Sequence, residues 1–95
     1  MSPDHRVIIT YCARCGWLLR ATWMAQELLT TFAADLAEVA LRPGPSGSFR
    51  IDVDTSTVWD RTIDGGFPDI ADLKRRVRDV IAPGRALGHT DGATQ

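Results

Sequence analysis

The chain has 95 residues, a net charge of -1, and ordinary shares of hydrophobic (44%) and charged (24%) residues. This length predicts one domain with a hydrophobic core that needs no disulfide staples. A net charge close to zero provides no basic field, so nucleic acid is not an expected partner. The N-terminal residues lack the apolar run of a secretory signal or a membrane-spanning helix, and we expect a cytoplasmic protein without membrane contact.

The first part of the chain predicts a strand, a helix and a second strand. Arg6–Tyr11 is mostly apolar and β-branched, which is typical of a central strand buried on both faces. Apolar residues then recur at helical spacing from near Trp17 to Phe32. Glu38–Arg42 alternates weakly and is interpreted as a strand. So short a unit favours parallel strands joined by a right-handed crossover.

The second part predicts a hairpin and a helix. Phe49–Val53 alternates cleanly, and a tight connection leads to a strand over Thr57–Asp60. Asp69 is the expected N-cap of a helix that ends before Pro83. The residues expected to face the core are Ile70, Leu73, Val77, Val80 and Ile81, with Lys74, Arg75, Arg76 and Arg78 mostly outside on a solvated face.

The order of elements is therefore βαβββα, which indicates a compact α/β fold. We expect a single domain over residues 1–84. Residues 85–95 are polar and small and show no periodicity, so they are predicted to form a flexible tail.

Cys12 and Cys15 are the only cysteines, and they stand where the first strand gives way to the first helix. Two intervening residues allow both sulfurs to close a small disulfide or to bind one metal ion. A thiolate near the start of a helix is stabilised by the positive end of the helix dipole. A Cys-x-x-Cys pair beside a βα unit in an intracellular chain indicates a redox site of the thioredoxin kind.

Two other interpretations of the cysteine pair are weaker. The cysteines would serve as small buried hydrophobic residues if they did no chemistry. A zinc site needs about four ligands, whereas the two histidines, His5 and His89, lie at opposite ends of the chain without paired spacing. We therefore expect no metal, and redox cycling of two thiols requires no cofactor.

Residues near the cysteines leave several alternatives open. Arg14 either stabilises a thiolate by its charge or is a solvated loop residue. Gly16 either allows an unusual backbone turn or is an ordinary loop residue. Trp17 is expected to pack in the core. Leu19 and Trp23 point to the opposite side of the helix, where they either pack under a loop or form a small apolar docking patch beside the cysteines.

Four stretches, taken in order, resemble the selenoprotein W, T and H-related group, the Rdx family. They are Tyr11-Cys12-x-x-Cys15-Gly16-Trp17, Gly47-Ser48-Phe49-Arg50-Ile51, Gly65-Gly66-Phe67-Pro68 and the segment from Leu73 to His89, which is similar to bacterial members without selenium. The resemblance covers about His5 to His89. It implies a thioredoxin-like fold, with a four-stranded mixed sheet packed by two helices and a redox motif in the first loop.

The resemblance also bears on the roles of the two cysteines. Selenoprotein members carry selenocysteine at the position of Cys15, which favours Cys15 as the attacking sulfur, whereas thioredoxin chemistry favours Cys12. We lean to Cys15 and name both residues as the catalytic site. Thioredoxins also place a cis-proline opposite their motif. Here no proline immediately precedes the Phe49 strand. This departure from the thioredoxin pattern argues against disulfide reduction of the thioredoxin kind.

The function expected from these observations is that of a small thiol-disulfide redox protein in cell redox homeostasis. It would cycle a Cys12–Cys15 disulfide with a protein or with a low-molecular-weight thiol of the glutathione type. This activity would make it a thiol-disulfide oxidoreductase. The alternative is a non-enzymatic, redox-sensing interaction module that binds a partner through the first helix and the Cys-x-x-Cys loop.

Overall fold

The computed structural model describes residues 3–88, which form one mixed sheet with helices packed against it. The elements in chain order are β1 (His5–Tyr11), α1 (Leu18–Thr31), β2 (Leu36–Pro43), β3 (Phe49–Val53), β4 (Ser56–Asp60), α2 (Arg61–Asp64) and α3 (Ile70–Ile81). The strand order is β2-β1-β3-β4. β1 pairs parallel with β2, and the β1–β3 and β3–β4 pairs are antiparallel. The predicted α/β fold, its four strands and its hairpin are confirmed.

One face of the sheet carries the hydrophobic core. Val7 and Ile9 of β1 lie opposite Val53 and Ile51 of β3, and all four side chains are fully buried. Residues of α1 and α3 complete the same cluster: Ala21, Met24, Leu28, Leu73 and Val77. Because alternate residues of a strand point to opposite faces, these odd-numbered positions place both long helices on one side of the sheet. We call this side the covered face.

We call the opposite side of the sheet the open face. On this side the expectation that β1 is buried along both faces is wrong. β1 is central, as predicted, but Ile8 is only partly buried. Its neighbours on this face are polar: Arg6 of β1 pairs with Glu38 of β2 at 2.7 Å, and Arg50 of β3 pairs with Asp52 at 2.9 Å. The open face is therefore a largely solvated, charged surface.

α3 begins as predicted, because the Asp69 carboxylate accepts hydrogen bonds from the Ala71 and Asp72 N–H groups. Two of its side chains differ from the prediction. Lys74 is only 7% exposed, and its ammonium lies 2.9 Å from the Glu27 carboxylate of α1. Its aliphatic stem packs where α1 and α3 meet, while the charge finds its partner there. Val80 is instead exposed near the end of the helix.

The short helix α2 was not predicted. The Asp60 carboxylate caps it by accepting hydrogen bonds from the N–H and hydroxyl of Thr62, which hold the pKa of Asp60 below its usual range. The Asp60 N–H in turn donates to the Asp64 carboxylate. An aspartate N-cap followed by a second carboxylate was the available sequence signal. Trp59, just before it, is buried, and its indole N–H donates a hydrogen bond to the Gly66 carbonyl.

The end of the described chain contacts the domain. Arg85 forms an ion pair with Asp35 at 2.6 Å, and Leu87 packs against the core. The remainder of the predicted tail, residues 89–95, lies outside the described residues.

Candidate functional site

Cys12 and Cys15 occupy the loop between β1 and α1 and form a disulfide bond, with their Cα atoms 5.3 Å apart. The two sulfur-bearing residues differ sharply in accessibility. Cys12 is 1% exposed, whereas Cys15 is exposed to solvent. The backbone N–H of Cys15 donates a hydrogen bond to Cys12 Sγ at 3.1 Å. This donor would also stabilise a thiolate on Cys12, because a hydrogen bond to the charged form favours it.

Backbone hydrogen bonds hold this loop in a tight turn. The Gly16 N–H donates to the Ala13 carbonyl, and the Trp17 N–H donates to the Cys12 carbonyl. Gly16 has a φ of 77°, in the left-handed region where a side chain is disfavoured. The turn interpretation of Gly16 is therefore confirmed. Arg14 is exposed at the outer side of the loop.

Three aromatic rings lie against the end of the loop. Trp17 packs edge-on against Phe67 and Phe49, with ring centroids 4.9 and 6.4 Å away, and Phe49 and Phe67 meet in the same way at 5.0 Å. Edge-to-face contacts of this kind are favourable beyond simple burial. The Gly65–Pro68 stretch thus brings Phe67 under the loop, and the expected packing role of Trp17 is confirmed.

Two arginines cover the aromatic cluster, and sequence reasoning missed both. The Arg20 guanidinium lies 4.0 Å from the Phe67 ring centroid, and that of Arg61 lies 4.9 Å from the Trp17 ring. Cations over aromatic faces are attracted by the ring quadrupole. No local sequence signal links Arg61 to Trp17, because the contact depends on where α2 meets the first loop.

The alternative left open for Leu19 and Trp23 is resolved in favour of exposure. Leu19 is 80% exposed and Trp23 is 46% exposed, and both line a shallow hollow beside Gly16. Arg20 lines the same hollow. An apolar surface with a basic rim therefore adjoins the exposed cysteine.

The β2–β3 loop, residues 44–48, lies at the same edge of the sheet. The Gly44 N–H donates to the Tyr11 carbonyl at 2.8 Å, which ties this loop to the residue before Cys12. No cis peptide bond occurs among residues 3–88. The loop thus occupies the edge beside the cysteines without the cis-proline of thioredoxins, in agreement with the departure noted from the sequence.

His5 lies at the opposite end of β1, away from the cysteines. Its Nδ1 is 2.7 Å from the Asp54 carboxylate, and this contact raises the pKa of His5 and lowers the pKa of Asp54. Within residues 3–88, no group of three or more His, Cys, Asp or Glu side chains is placed to hold a metal ion. His89 lies outside the described residues. In that same part of the chain, no helix has the length and apolar character needed to cross a membrane.

Comparison with known proteins decides the family. The family model described as "Rdx family" matches residues 6–79, which contain the cysteine loop and the aromatic cluster. The chain belongs to the Rdx family. The resemblance seen in the sequence and the implied thioredoxin-like α/β fold are therefore confirmed.

Relatives of this Rdx chain agree with that placement. It is similar to a solved structure from Bordetella parapertussis, with 60% identity, a TM-score of 0.79, and coverage of 81% of this chain and 98% of that one. A selenoprotein W-related protein from Vibrio cholerae is 43% identical, also with a TM-score of 0.79, over 81% of this chain and 96% of that one. Migration and invasion enhancer 1 of Bos taurus is 30% identical over 78 residues, which are 80% of this chain but only 66% of that relative.

Proposed function

We propose that this Rdx chain is a small thiol-disulfide redox protein of the cytoplasm that cycles the Cys12–Cys15 disulfide. Its partner would be a protein or a low-molecular-weight thiol, and the activity would contribute to cell redox homeostasis. The observation that carries the proposal is the bonded cysteine pair in a loop that exposes one sulfur-bearing residue and buries the other.

Catalysis would proceed through a mixed disulfide on Cys15. In the reduced protein, the Cys15 thiolate attacks one sulfur of a partner disulfide, and the partner's other sulfur leaves as a thiolate that takes up a proton. The Cys12 thiolate then attacks Cys15 Sγ, which re-forms the Cys12–Cys15 bond and releases the partner's second thiol. Two electrons pass from the protein to the partner, and the same steps run backwards when a partner thiol reduces the protein.

Exposure and hydrogen bonding support these roles for the two cysteines. A partner sulfur reaches Cys15 without displacing other residues, whereas Cys12 is almost inaccessible. When a partner thiolate attacks the oxidised protein at Cys15, Cys12 is the leaving sulfur. The Cys15 N–H lies 3.1 Å from Cys12 Sγ and would stabilise the negative charge that develops there. This assignment differs from the thioredoxin pattern, in which the first cysteine attacks.

The two single serine variants, Cys12→Ser and Cys15→Ser, test the assignment as a matched pair. After reaction with glutathione disulfide, Cys12→Ser should accumulate a stable mixed disulfide on Cys15, detected by intact mass. Cys15→Ser should react much more slowly, because its remaining thiol is buried. Limiting alkylation of the reduced wild-type chain, mapped by peptide mass, should also label Cys15 first. Preferential labelling of Cys12 would reverse the assignment.

A test of turnover separates an enzyme from a sensor. An oxidoreductase should catalyse insulin reduction or peroxide removal with a recycling thiol present, whereas a sensor would oxidise reversibly without turnover. Failure of the disulfide to form reversibly in a thiol titration would exclude both functions.

The sensor alternative has one specific observation in its favour. Leu19 and Trp23 expose apolar surface beside the cysteine loop, as a partner-binding site would require. A Trp23→Ala change should then weaken capture of a partner while leaving the rate of oxidation by hydroxyethyl disulfide unchanged. An unchanged partner set in cross-linked extracts would argue against this second function.

A further inference from the structure

The two edge strands of the sheet differ in length and in protection. β2 has eight residues and pairs only with β1 within the described part of the chain, whereas β4 has five residues and continues directly into α2. At the ends of β2, a register irregularity next to Leu36 and the missing N–H of Pro43 limit further pairing. The middle of β2, from Glu38 to Arg42, is therefore the part of the sheet edge that is able to pair with another strand.

Backbone groups in the middle of β2 point away from the sheet. The Gly44 N–H donates to the Tyr11 carbonyl at the end of β1. Because backbone groups alternate between the two sides of a strand, the Arg42 N–H also points to β1. The N–H and carbonyl groups of Val39 and Leu41 then point outwards, where no other strand of residues 3–88 lies. These groups form a template for one more strand.

An apolar strip on α1 extends this edge on the covered face. Leu18 and Leu29 are 11 positions apart, about three turns at 3.6 residues per turn, so they share one side of α1. Glu27 lies on a different side, because it reaches Lys74 of α3. α1 packs on β1 and β2, and α3 packs on β4. The side of α1 with Leu18 and Leu29 therefore faces the β2 edge, and these leucines are 49% and 42% exposed.

The residues of β2 are complementary to themselves when two copies pair antiparallel. With Ala40 opposite Ala40 of a second copy, Glu38 lies opposite Arg42 of that copy, and Arg42 lies opposite its Glu38. The same register sets Val39 opposite Leu41 on the covered face. The two charged pairs are non-hydrogen-bonded pairs, in which side chains approach most closely and opposite charges stabilise the sheet. Sliding one copy by two residues in either direction leaves each charge opposite an uncharged residue.

The charges of a single copy favour this pairing. Arg42 forms no ion pair with any residue between 3 and 88. Glu38 contacts Arg6 of its own chain at 2.7 Å, and both of these side chains are about half exposed. A second copy supplies the partner that Arg42 lacks, and its own Arg42 adds a second cation beside Glu38.

The spacing of the helices agrees with a continuous sheet. The covered face carries two long helices, α1 and α3, over four strands. Two strands span about 10 Å, and packed helices lie about 8–10 Å apart. In the paired sheet, α1 of the second copy therefore lies beside α1 of the first and antiparallel to it, so that Leu18 of each copy meets Leu29 of the other.

We propose that the β2 edge binds a second copy of this chain by antiparallel β2–β2 pairing centred on Ala40, which gives a two-fold dimer with one eight-stranded sheet. One short strand and one side of a helix from each copy make a small interface, so we expect a dissociation constant of the order of 100 µM. At about 5 µM the chain is then a monomer. The two cysteine loops lie at opposite ends of the paired strands, and the dimer does not depend on the proposed function.

Sedimentation equilibrium of the oxidised chain, from about 5 µM to about 1 mM, tests the dimer. The wild-type chain should change from monomer to dimer over this range. Arg42→Glu opposes two carboxylates in both cross-strand pairs and should weaken the dimer about tenfold. Arg14→Glu is the matched control, because it changes the net charge equally in the exposed cysteine loop, and it should dimerise like the wild-type chain. A wild-type monomer at about 1 mM, or equal weakening by both variants, would overturn the proposal.

Mixing two variants tests the register. Glu38→Arg alone should also weaken the dimer, since two arginines then face each other. In an equimolar mixture of Glu38→Arg and Arg42→Glu, both cross-strand pairs again join opposite charges, so the mixed dimer should be about tenfold tighter than the dimer of either variant alone. A mixture of Glu38→Arg and Arg14→Glu has the same net charges, but only one of its two pairs joins opposite charges, and its mixed dimer should be weaker. Equally tight mixed dimers would exclude pairing centred on Ala40.

Amide hydrogen exchange distinguishes a second copy from other occupants of the edge. The N–H groups of Val39 and Leu41 should exchange about fourfold more slowly at about 1 mM than at about 20 µM wild-type protein, as the share of monomer falls. Fast exchange at both concentrations would show an unpaired edge. Equally slow exchange at both would show that another part of the same chain covers β2. Either result would refute the dimer.

Discussion

The two faces of the sheet are built from the same strands but differ in what lies over them. On the covered face, Val7 and Ile9 are fully buried under α1 and α3. On the open face, the neighbouring Ile8 is partly exposed and Thr10 lines a cavity between two arginines. The period of two along a strand allows one segment to build the core and to present polar groups on its other side.

The cysteine loop lies at the edge where these two faces meet. Its aromatic neighbours, Trp17 and Phe67, belong to the covered side, whereas the β2–β3 loop and Thr10 belong to the open side. The comparison leads us to expect that stability depends mainly on the covered face and recognition on the open face. Substitutions on the covered face should mainly change the free energy of unfolding, and those on the open face should mainly change binding.

Adjacent isoleucines give the largest expected effect and the most direct comparison of the faces. Ile9→Ala should lower the free energy of unfolding by about 2–5 kcal/mol, because Ile9 is fully buried against α1 and α3. Ile8→Ala should cost about 1 kcal/mol, since part of its side chain already contacts water. Urea denaturation of the oxidised proteins measures both values. Similar costs for the two variants would refute the division between the faces.

The strands and helices that build the covered face could be predicted from the sequence. Alternation placed β3, and the tight connection after it placed β4. The helical spacing of apolar residues placed α1, and the Asp69 N-cap with the core-facing residues after it placed α3. The cysteine loop was also foreseen, because a Cys-x-x-Cys pair between a strand and a helix is a local signal. These elements share one property: each depends on residues that are close together in the sequence.

The features that sequence analysis missed depend on contacts between distant segments. Thr10, Arg42 and Arg50 meet only because β1 pairs with β2 and β3 in one particular register. Register is set by the whole sheet, so it is not encoded in any short window. Lys74 was assigned to the solvated face for the same reason. Its ion partner, Glu27, lies 47 positions earlier in the chain.

Gly44 tests how closely the β2–β3 loop fits over the open face. A methyl group on Gly44 would collide with the Thr10 side-chain methyl and would lie 2.9 Å from Ser48 Oγ. Gly44→Ala should therefore lower the free energy of unfolding by about 1–3 kcal/mol. Thr10→Ser removes the methyl and keeps the hydroxyl. In the Thr10→Ser background, Gly44→Ala should therefore lower the free energy of unfolding by less than it does in the wild-type chain. If the losses from the two single changes simply add in the double variant, the close fit of the loop over Thr10 is contradicted.

Substitution of two glutamates compares a largely buried ion pair between α1 and α3, Glu27–Lys74, with an exposed ion pair on the open face, Glu38–Arg6. Glu27→Gln leaves the buried Lys74 ammonium without its charged partner, and we expect a loss of about 1–2 kcal/mol. Glu38→Gln breaks an ion pair with Arg6 in which both side chains are about half exposed, and it should cost no more than about 0.5 kcal/mol. Urea denaturation at pH 7 measures both. Equal losses would show that burial of Lys74 does not strengthen its ion pair.

The His5–Asp54 contact gives the smallest effect and tests the end of the sheet opposite the cysteines. Asp54 has a φ of 53°, and asparagine tolerates this left-handed conformation, so Asp54→Asn should remove the charge without straining the turn. The Asp54 carboxylate raises the pKa of His5 above 6.5. The stabilisation is therefore fully present below pH 6.5 and is lost as the pH rises through the raised pKa of His5.

The same contact sets the acid limit of the effect. Asp54 has a pKa below its usual 3.8, so its contribution is present above pH 3.8 and is lost as the pH falls through the lowered pKa. The wild-type chain should exceed Asp54→Asn in stability most clearly between these two limits, by less than about 1 kcal/mol for so exposed a pair. An NMR titration should show the pKa of His5 returning towards 6.5 in the variant. Exchange at Cys15 should be unchanged, because only the opposite end of β1 is altered, and a slower exchange would indicate that the two ends of the sheet are coupled.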